Sequence, residues 1–453
     1  MTTPRYASTG CPAESQERGD ALSSPCPWAR ESAVFVVSSN NGNVNNNNRN
    51  NNALVRAVRA VSGEFQDAVQ LRDLHGAWKE ARRKKRASVN QLSFDARWLS
   101  GLMELERELA AGTWAPRPSS CFIAERPKAR EIHAPDFADR VVHHWIVPQL
   151  EALFEPGFIH DSFANRKGKG SHAAVRRLQQ FIRQVPGGWY LQLDVHNFFN
   201  SIHRATLYGL LKRRMQRARM PEQLQRAVHA LLRAGPLAAG VTYRGDPTAR
   251  ELVPPHKRLE NSPPGCGLPI GNLSSQFFAN VYLDQLDQFV KHQLRARRYL
   301  RYVDDFVLVH HDREQLAAWK VEIERFLGAE LGLSLKADVR LRPLGAGIDF
   351  LGYVAFPTHT RARRRVVSHA RAALASWERD HVTPRQIRAT PADLRRIRST
   401  WASYQGHLKH ADSHRLQAAL LRRFDWLPLA TAARRFHHRL EGRTLTIRRH
   451  AHA

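Results

Sequence analysis

Arg298-Tyr299-Leu300-Arg301-Tyr302-Val303-Asp304-Asp305-Phe306-Val307-Leu308-Val309 sets two apolar, β-prone runs on either side of an adjacent pair of aspartates. The pattern predicts a β-hairpin with Asp304 and Asp305 at its tight turn. Two carboxylates on a stiff tip make a seat for a hard divalent cation, which completes its shell with water and substrate phosphates. An Asp-Asp pair is equally what a solvated turn looks like. The hairpin acquires meaning only if a further carboxylate arrives from elsewhere in the chain.

Trp189-Tyr190-Leu191-Gln192-Leu193-Asp194-Val195-His196-Asn197-Phe198-Phe199 supplies one: an apolar strand ending in Asp194, then a turn and two phenylalanines. Asp194 precedes Asp304 by 110 residues. A strand-end Asp beside a hairpin-tip pair suits two-metal phosphoryl transfer, in which carboxylates bridge ions roughly 4 Å apart. One ion activates the attacking hydroxyl and the other holds the leaving group.

Tyr302-Val303-Asp304-Asp305 resembles the Tyr-x-Asp-Asp box of reverse transcriptases, and Asp194 sits like the first catalytic Asp of their palm. The similarity runs from about Gln66 to Trp426. It implies an α+β right-hand polymerase with fingers, a palm built on an antiparallel sheet, and a helical thumb. The expected boundaries are a disordered extension over 1–63, N-terminal helices and fingers over 64–190, and a palm over 191–358. A helical insertion near 204–261, a thumb over 359–430 and a basic tail over 431–453 complete the division. The resemblance also implies two Mg²⁺ ions, with Mn²⁺ as a substitute, on Asp194, Asp304, Asp305 and the Val195 backbone carbonyl.

Composition agrees with a polyanionic partner. Of 453 residues, 70 are Lys or Arg and 41 are Asp or Glu, a formal charge of +29. Nucleic acid is the usual counterpart of such an excess. No apolar run is long enough for a membrane span. The four cysteines form no Cys-x-x-Cys pair, which argues against structural zinc and fits a reducing, cytoplasmic setting.

In chain order, ten of the thirteen residues from Asn40 to Asn52 are Asn, a low-complexity stretch expected to be disordered. Phe65, Val69, Leu74 and Trp78 fall near helical spacing. Phe94, Trp98, Leu102, Leu105 and Leu109 predict a second helix. The segment from Arg126 to Pro135 resembles a fingers β-ribbon, on which Lys128 and Arg130 would meet the nucleotide triphosphate. Arg130 is favoured for its bidentate fork. His143 and His144 lack a third ligand nearby and are read as packing.

Arg166-Lys167-Gly168-Lys169-Gly170 leads into a helix carrying Val175, Leu178 and Phe181. It is a flexible basic turn or, through Lys167 and Lys169, a template or duplex contact. In relatives an aromatic at the position of Phe199 lies under the nucleotide sugar and excludes a 2′-hydroxyl. A helix is expected from Ser275 to about Lys291 and a strand from Leu331. Gly347 to Tyr353 resembles the closing palm box. Lys336 lies near the position of a lysine often found between the last two, without aligning cleanly. The resemblance places Gln276, Tyr302 and Lys409 on the template–primer.

Gly265-Cys266-Gly267-Leu268-Pro269-Ile270-Gly271-Asn272-Leu273-Ser274-Ser275-Gln276 narrows the resemblance. Most reverse transcriptases carry Gln-Gly where this chain has Ile270-Gly271, and Ser-Pro where it has Ser275-Gln276. Enzymes of diversity-generating retroelements resemble it in both. Position 270 should lie near the templating base pair, where Ile cannot make the hydrogen bond that Gln can. The lost contact, worth roughly 1–3 kcal/mol, would relax base discrimination. Residues 33–59 resemble the Asn-rich variable segment of such elements' target proteins, and are read as a template repeat translated in frame.

The implied function is copying a template-repeat RNA into cDNA with errors at adenines. Its partners are the template RNA, a primer or cDNA strand, deoxynucleotides and a small basic helical accessory protein, as an oligomer. The alternative is another bacterial reverse transcriptase, of a retron, a group II intron or a phage-defence system.

Overall fold

The computed structural model describes residues 69–83, 87–125, 128–432 and 443–449. The expectations for residues 1–63 lie outside them. The described chain is a mixed helix and sheet structure with three hydrophobic clusters.

The N-terminal helices are α1 (Leu71–Arg82), α2 (Val89–Asp95) and α3 (Trp98–Ala111). Two expectations change here. The first helix begins at Leu71, leaving Val69 ahead of it. The second is broken between Phe94 and Trp98, because Arg97 leaves helical dihedrals (φ −129°, ψ 32°). Asp95 is held from the side by Trp78 Nε1 at 2.9 Å and by Gln91. The turn lays the Phe94 ring against Gly101, where an added Cβ would stand 2.9 Å from it.

An antiparallel ribbon follows, β1 (Ser119–Ala124) with β2 (Arg130–Ala134), and then the long helix α4 (Phe137–Phe154). The remaining elements up to the aspartate hairpin are α5 (Ser171–Arg183), β3 (Trp189–Asp194), the short α6 (Phe198–Ser201), α7 (Arg204–Arg217), α8 (Glu222–Arg233), β4 (Val241–Tyr243) and α9 (Leu273–Gln288). Residues 204–261 are not an appended insertion. Leu207, Leu211 and Met215 of α7 and Leu224, Val228 and Leu232 of α8 are buried in the largest cluster. β4 joins the ribbon by pairing parallel to β1.

β5 (Tyr299–Tyr302) and β6 (Asp305–His310) form the expected hairpin, and α10 (Arg313–Leu331) covers it. Sequence reading missed α10. It also expected a strand from Leu331, where the helix in fact ends. Gly332 caps it at φ +61°, and only Leu335 then bridges to Val195. The strand comes later, as β7 (Arg340–Pro343). The central sheet has the order β5-β6-β3-β7, all antiparallel, with helices of the largest cluster on one face. The second cluster packs α5 and the hairpin β8 (Ile348–Phe350) with β9 (Tyr353–Ala355) on the other.

β10 (Thr360–Ala362) leads into the C-terminal part: α11 (Arg364–His381), β11 (Gln386–Ala389), α12 (Pro391–Leu408), α13 (His414–Arg423) and α14 (Leu427–Ala432). Thr390 and Asp393 make a reciprocal capping box on α12. The third cluster, around Leu374, Trp377, Trp401 and Trp426, is its core. The last strand, β12 (Leu445–Arg448), pairs with β11. That stretch is therefore part of the fold rather than of a tail.

Candidate active site

β3 and β6 lie side by side in a register that sets Asp194 opposite Asp305. Five apolar or half-apolar pairs, from Trp189↔His310 to Leu193↔Phe306, lock that register, since a slip by one residue would exchange the side chains packed on the two covered faces. The turn of the β5–β6 hairpin then carries Asp304 over the end of β3. The Val195 N–H donates to the Asp304 carbonyl at 3.2 Å. All three carboxylates thus stand at one end of the central sheet, with Val195 buried beneath them.

The turn is strained and held. Val303, a β-branched residue, has φ +56°, a conformation such residues seldom adopt. Arg301 donates to the Val303 carbonyl at 2.9 Å while its other guanidinium nitrogens clamp Asp287 of α9 at 2.6 and 2.8 Å. Tyr299 adds a bond to the same carboxylate at 2.6 Å. Arg301 and Asp287 are fully buried, and each is the other's counter-ion. Sequence reading passed over both. The signal was present: an arginine in the middle of an otherwise apolar strand must have a partner.

The carboxylates are electrostatically unsatisfied. Burial raises Asp305 to about 7, against the pull of a hydrogen bond from Gln192 at 3.1 Å and with Asp194 and Asp304 adding to it. Burial and the neighbouring Asp194 likewise push Asp304 well above the usual carboxylate range. Asp194 Oδ1 is buried without a hydrogen-bond partner. Its Oδ2 accepts from Lys336 Nζ at 2.5 Å, and its backbone carbonyl from the Lys336 N–H at 2.8 Å. Lys336 is therefore part of the site, though the sequence did not align it cleanly.

Among the described residues, no three His, Cys, Asp or Glu side chains form a ready coordination set. Lys336 and Gln192 hold Asp194 and Asp305 in their own hydrogen bonds. The donor set nevertheless suits a hard cation: three carboxylates, one with an orphaned oxygen, and on Asp304 and Asp305 charges that burial and neighbouring carboxylates penalise. Hard ions of this size take only one or two carboxylates plus substrate phosphates.

Other expected residues distribute unevenly. Lys128, in the turn of the β1–β2 ribbon, is close enough to feel Lys257, Lys336, Arg130 and Asp194. Burial and these cations lower its pKa. The ribbon thus brings Lys128 within electrostatic reach of Asp194, with Arg130 as its neighbour. Phe198 is the buried member of its pair, and Phe199 is half exposed beside it, ring to edge at 5.4 Å. The Ile270 carbonyl accepts from the His133 N–H at 2.7 Å, which lays the 265–272 loop on β2. Gly271 (φ +127°) permits this approach, because a Cβ there would meet the His133 carbonyl oxygen at 2.6 Å.

Gln276 is exposed in the first turn of α9, and Tyr302 is half-buried at the end of β5. In the basic loop, Arg166 is spent on the fold, donating to the Ile159 and Ser162 carbonyls. Lys169 donates to the His160 carbonyl at 2.8 Å, and Lys167 lies 3.7 Å from Glu151. Segment 161–163 runs beside β5 through the Ser162–Arg301 bridge, so the loop flanks the sheet edge. Lys409 lies at the end of α12, lining a cavity of about 280 Å³ with His172, Arg176 and Tyr353. No contact links it to the carboxylates. His143 is buried, as the packing reading expects.

Residues 123–341, just under half of the chain, match the family model described as reverse transcriptase (RNA-dependent DNA polymerase). The chain is 24% identical to Protein YkfC of Escherichia coli over 62% of its own length and 78% of that protein's. It is 26% identical to the group II intron-encoded protein LtrA of Lactococcus lactis over 42% of its length, but spans only 28% of LtrA. An uncharacterized mitochondrial protein of Marchantia polymorpha, ymf11, is 27% identical over 30% of the chain and 17% of that protein. The chain carries a reverse transcriptase domain, and the three carboxylates lie inside it. The domain's class is RNA-directed DNA polymerase, and its relatives include a group II intron-encoded protein. Reverse transcriptases work on nucleic-acid templates and deoxynucleotides with divalent metal ions. No helix among the described residues is long and apolar enough to cross a membrane.

Proposed function

We propose that the protein copies an RNA template into DNA with two Mg²⁺ ions on Asp194, Asp304, Asp305 and the Val195 carbonyl. The convergence of Asp194 with the two buried, penalised carboxylates Asp304 and Asp305, within reach of Lys128 and Lys336, carries this reading. The metal ions would supply an acidified 3′-hydroxyl and charge neutralisation of the leaving pyrophosphate. Lys128 and Arg130 draw in the triphosphate, and Phe199 stands where a 2′-hydroxyl would collide with it. Residues 64–190, 191–358 and 359–430 act as fingers, palm and thumb. Lys167, Lys169, Gln276, Tyr302 and Lys409 track the template–primer.

The finer reading is an error-prone enzyme of a diversity-generating retroelement, working with a structured template-repeat RNA and a small basic accessory protein. Ile270-Gly271 and Ser275-Gln276 support it, because the Ile270 side chain offers no hydrogen bond to a base pair. A second reading, an enzyme of the group II intron type, is favoured by the similarity to LtrA. Sequencing of cDNA made on a defined RNA template separates the two. The first expects misincorporation concentrated opposite adenine, lowered by Ile270→Gln about tenfold or more. An even error spectrum that Ile270→Gln leaves unaltered favours the second.

A further inference from the structure

We propose that Lys257 is a third cationic contact for the triphosphate of the incoming nucleotide, delivered by a strap that joins the β1–β2 ribbon to the Asp194 turn. The inference rests on the polymerase reading above.

The strap is residues 246–261, to which sequence alone assigns no role. One end is bound to the turn after Asp194. Asn197 Nδ2 donates to the His256 carbonyl at 2.5 Å, the His196 and His256 rings lie parallel with centroids 6.1 Å apart, and Asn200 Nδ2 donates to the Arg258 carbonyl at 3.2 Å. The other end is bound to β2. The Leu259 N–H donates to the buried Glu131 carboxylate at 2.8 Å, and Arg250 approaches the other oxygen of Glu131 at 3.5 Å. Val253 and Leu259 are buried beneath it.

Lys257 therefore sits one residue from an anchor on the Asp194 turn and two residues from an anchor next to Arg130. It is exposed, and it is the strongest cationic neighbour of Lys128, ahead of Lys336 and Arg130. Lys257 of the strap, Lys336 of the loop after α10 and Arg130 of the ribbon gather around Lys128, which itself feels Asp194, and among the described residues Lys336 is the one of these four that pairs with that carboxylate. Like charges held together by independent anchors cost stability unless an anion joins them. A triphosphate in transit to Asp194 brings about four negative charges to that place. An exposed lysine also suits a ligand that must leave again as pyrophosphate, since its charge acts without a rigid fork.

The test is single-nucleotide extension of a defined primer on an RNA template by wild type, Lys257→Ala and Lys257→Arg. Tripolyphosphate serves as a competitor lacking base and sugar. Lys257→Ala should raise KM for the deoxynucleotide about tenfold and weaken inhibition by tripolyphosphate to a similar degree. It should leave KM for the template–primer unchanged, and Lys257→Arg should restore most of the loss. An unchanged deoxynucleotide KM overturns the assignment while wild-type extension keeps the polymerase reading intact. So does a rise confined to the template–primer KM, which would make Lys257 a backbone contact. If wild type does not extend the primer at all, both readings fall together.

Discussion

Asp284 shows how single carboxylates set the molecule's response to pH. It is buried on α9, accepts from Gln288 at 3.0 Å, and burial with the nearby Asp287 raises it to about 6. The unfolded chain releases that proton near pH 3.9. Between those values the folded state holds more protons, so stability is full below about pH 4 and declines as pH rises through 6. Asp284→Asn keeps the acceptor and removes the charge. It should raise the melting temperature at pH 8, by a few degrees for a gain on the order of 1–3 kcal/mol, and leave it unchanged at pH 4. Equal effects at both pH values would mean the change acts through packing. At this scale the sequence was legible where chemistry is written in pairs. That Asp194, Asp304 and Asp305 would meet at one end of a sheet was legible from strand patterns and spacing. Lys336 and Arg301 were not, because nothing local says that Lys336 reaches back 142 residues to Asp194 or that Arg301 finds Asp287.

Among the elements, the loop 265–272 depends on one glycine. Gly271→Ala would put a methyl group into the His133 carbonyl and hold a non-glycine residue at φ +127°. The strain is on the order of 1–3 kcal/mol, and the loop can relieve it only by lifting off β2. Primer extension should fall tenfold or more, while the circular dichroism spectrum and the melting temperature change little, because the loop lies at the rim of the core. A melting temperature lowered by more than about ten degrees would show that the loop is a structural element instead. The sequence made the hairpin and the strand before Asp194 legible because apolar, β-prone runs bounded by turns are a local signal, while the ribbon was legible only through its resemblance to a fingers segment. It misjudged the Phe94 to Leu109 run, where apolar spacing carries across a turn that closes on Gly101. It also missed α10, whose pattern is mixed, and the strap over 246–261, whose short turns acquire meaning only from their anchors on Asn197 and Glu131.

For the whole molecule, the three clusters divide the labour. The largest joins the N-terminal helices, α7–α9 and one face of the central sheet into a single support for the carboxylates. The second seats α5 and β8–β9 on the opposite face. The third makes the C-terminal helices a core of their own, sewn shut by β11 and β12. An α+β architecture and a nucleic-acid partner were legible in the boxes and in the charge of +29. The pairing of residues 445–448 with 386–389 was not, since the alternation of Leu445-Thr446-Ile447-Arg448 offers only two apolar residues amid Arg and His. The account as a whole stands on Asp194, Asp304 and Asp305 sharing divalent ions in nucleotide transfer. Its most direct test is primer extension on an RNA template, titrated with Mg²⁺ and then Mn²⁺, for wild type and for Asp194→Asn and Asp305→Asn, each checked for an unchanged fold. The account predicts extension that is abolished by chelation, restored by either ion, and reduced at least a thousandfold in both variants. Extension that survives in either variant, or that proceeds without divalent metal, would contradict it.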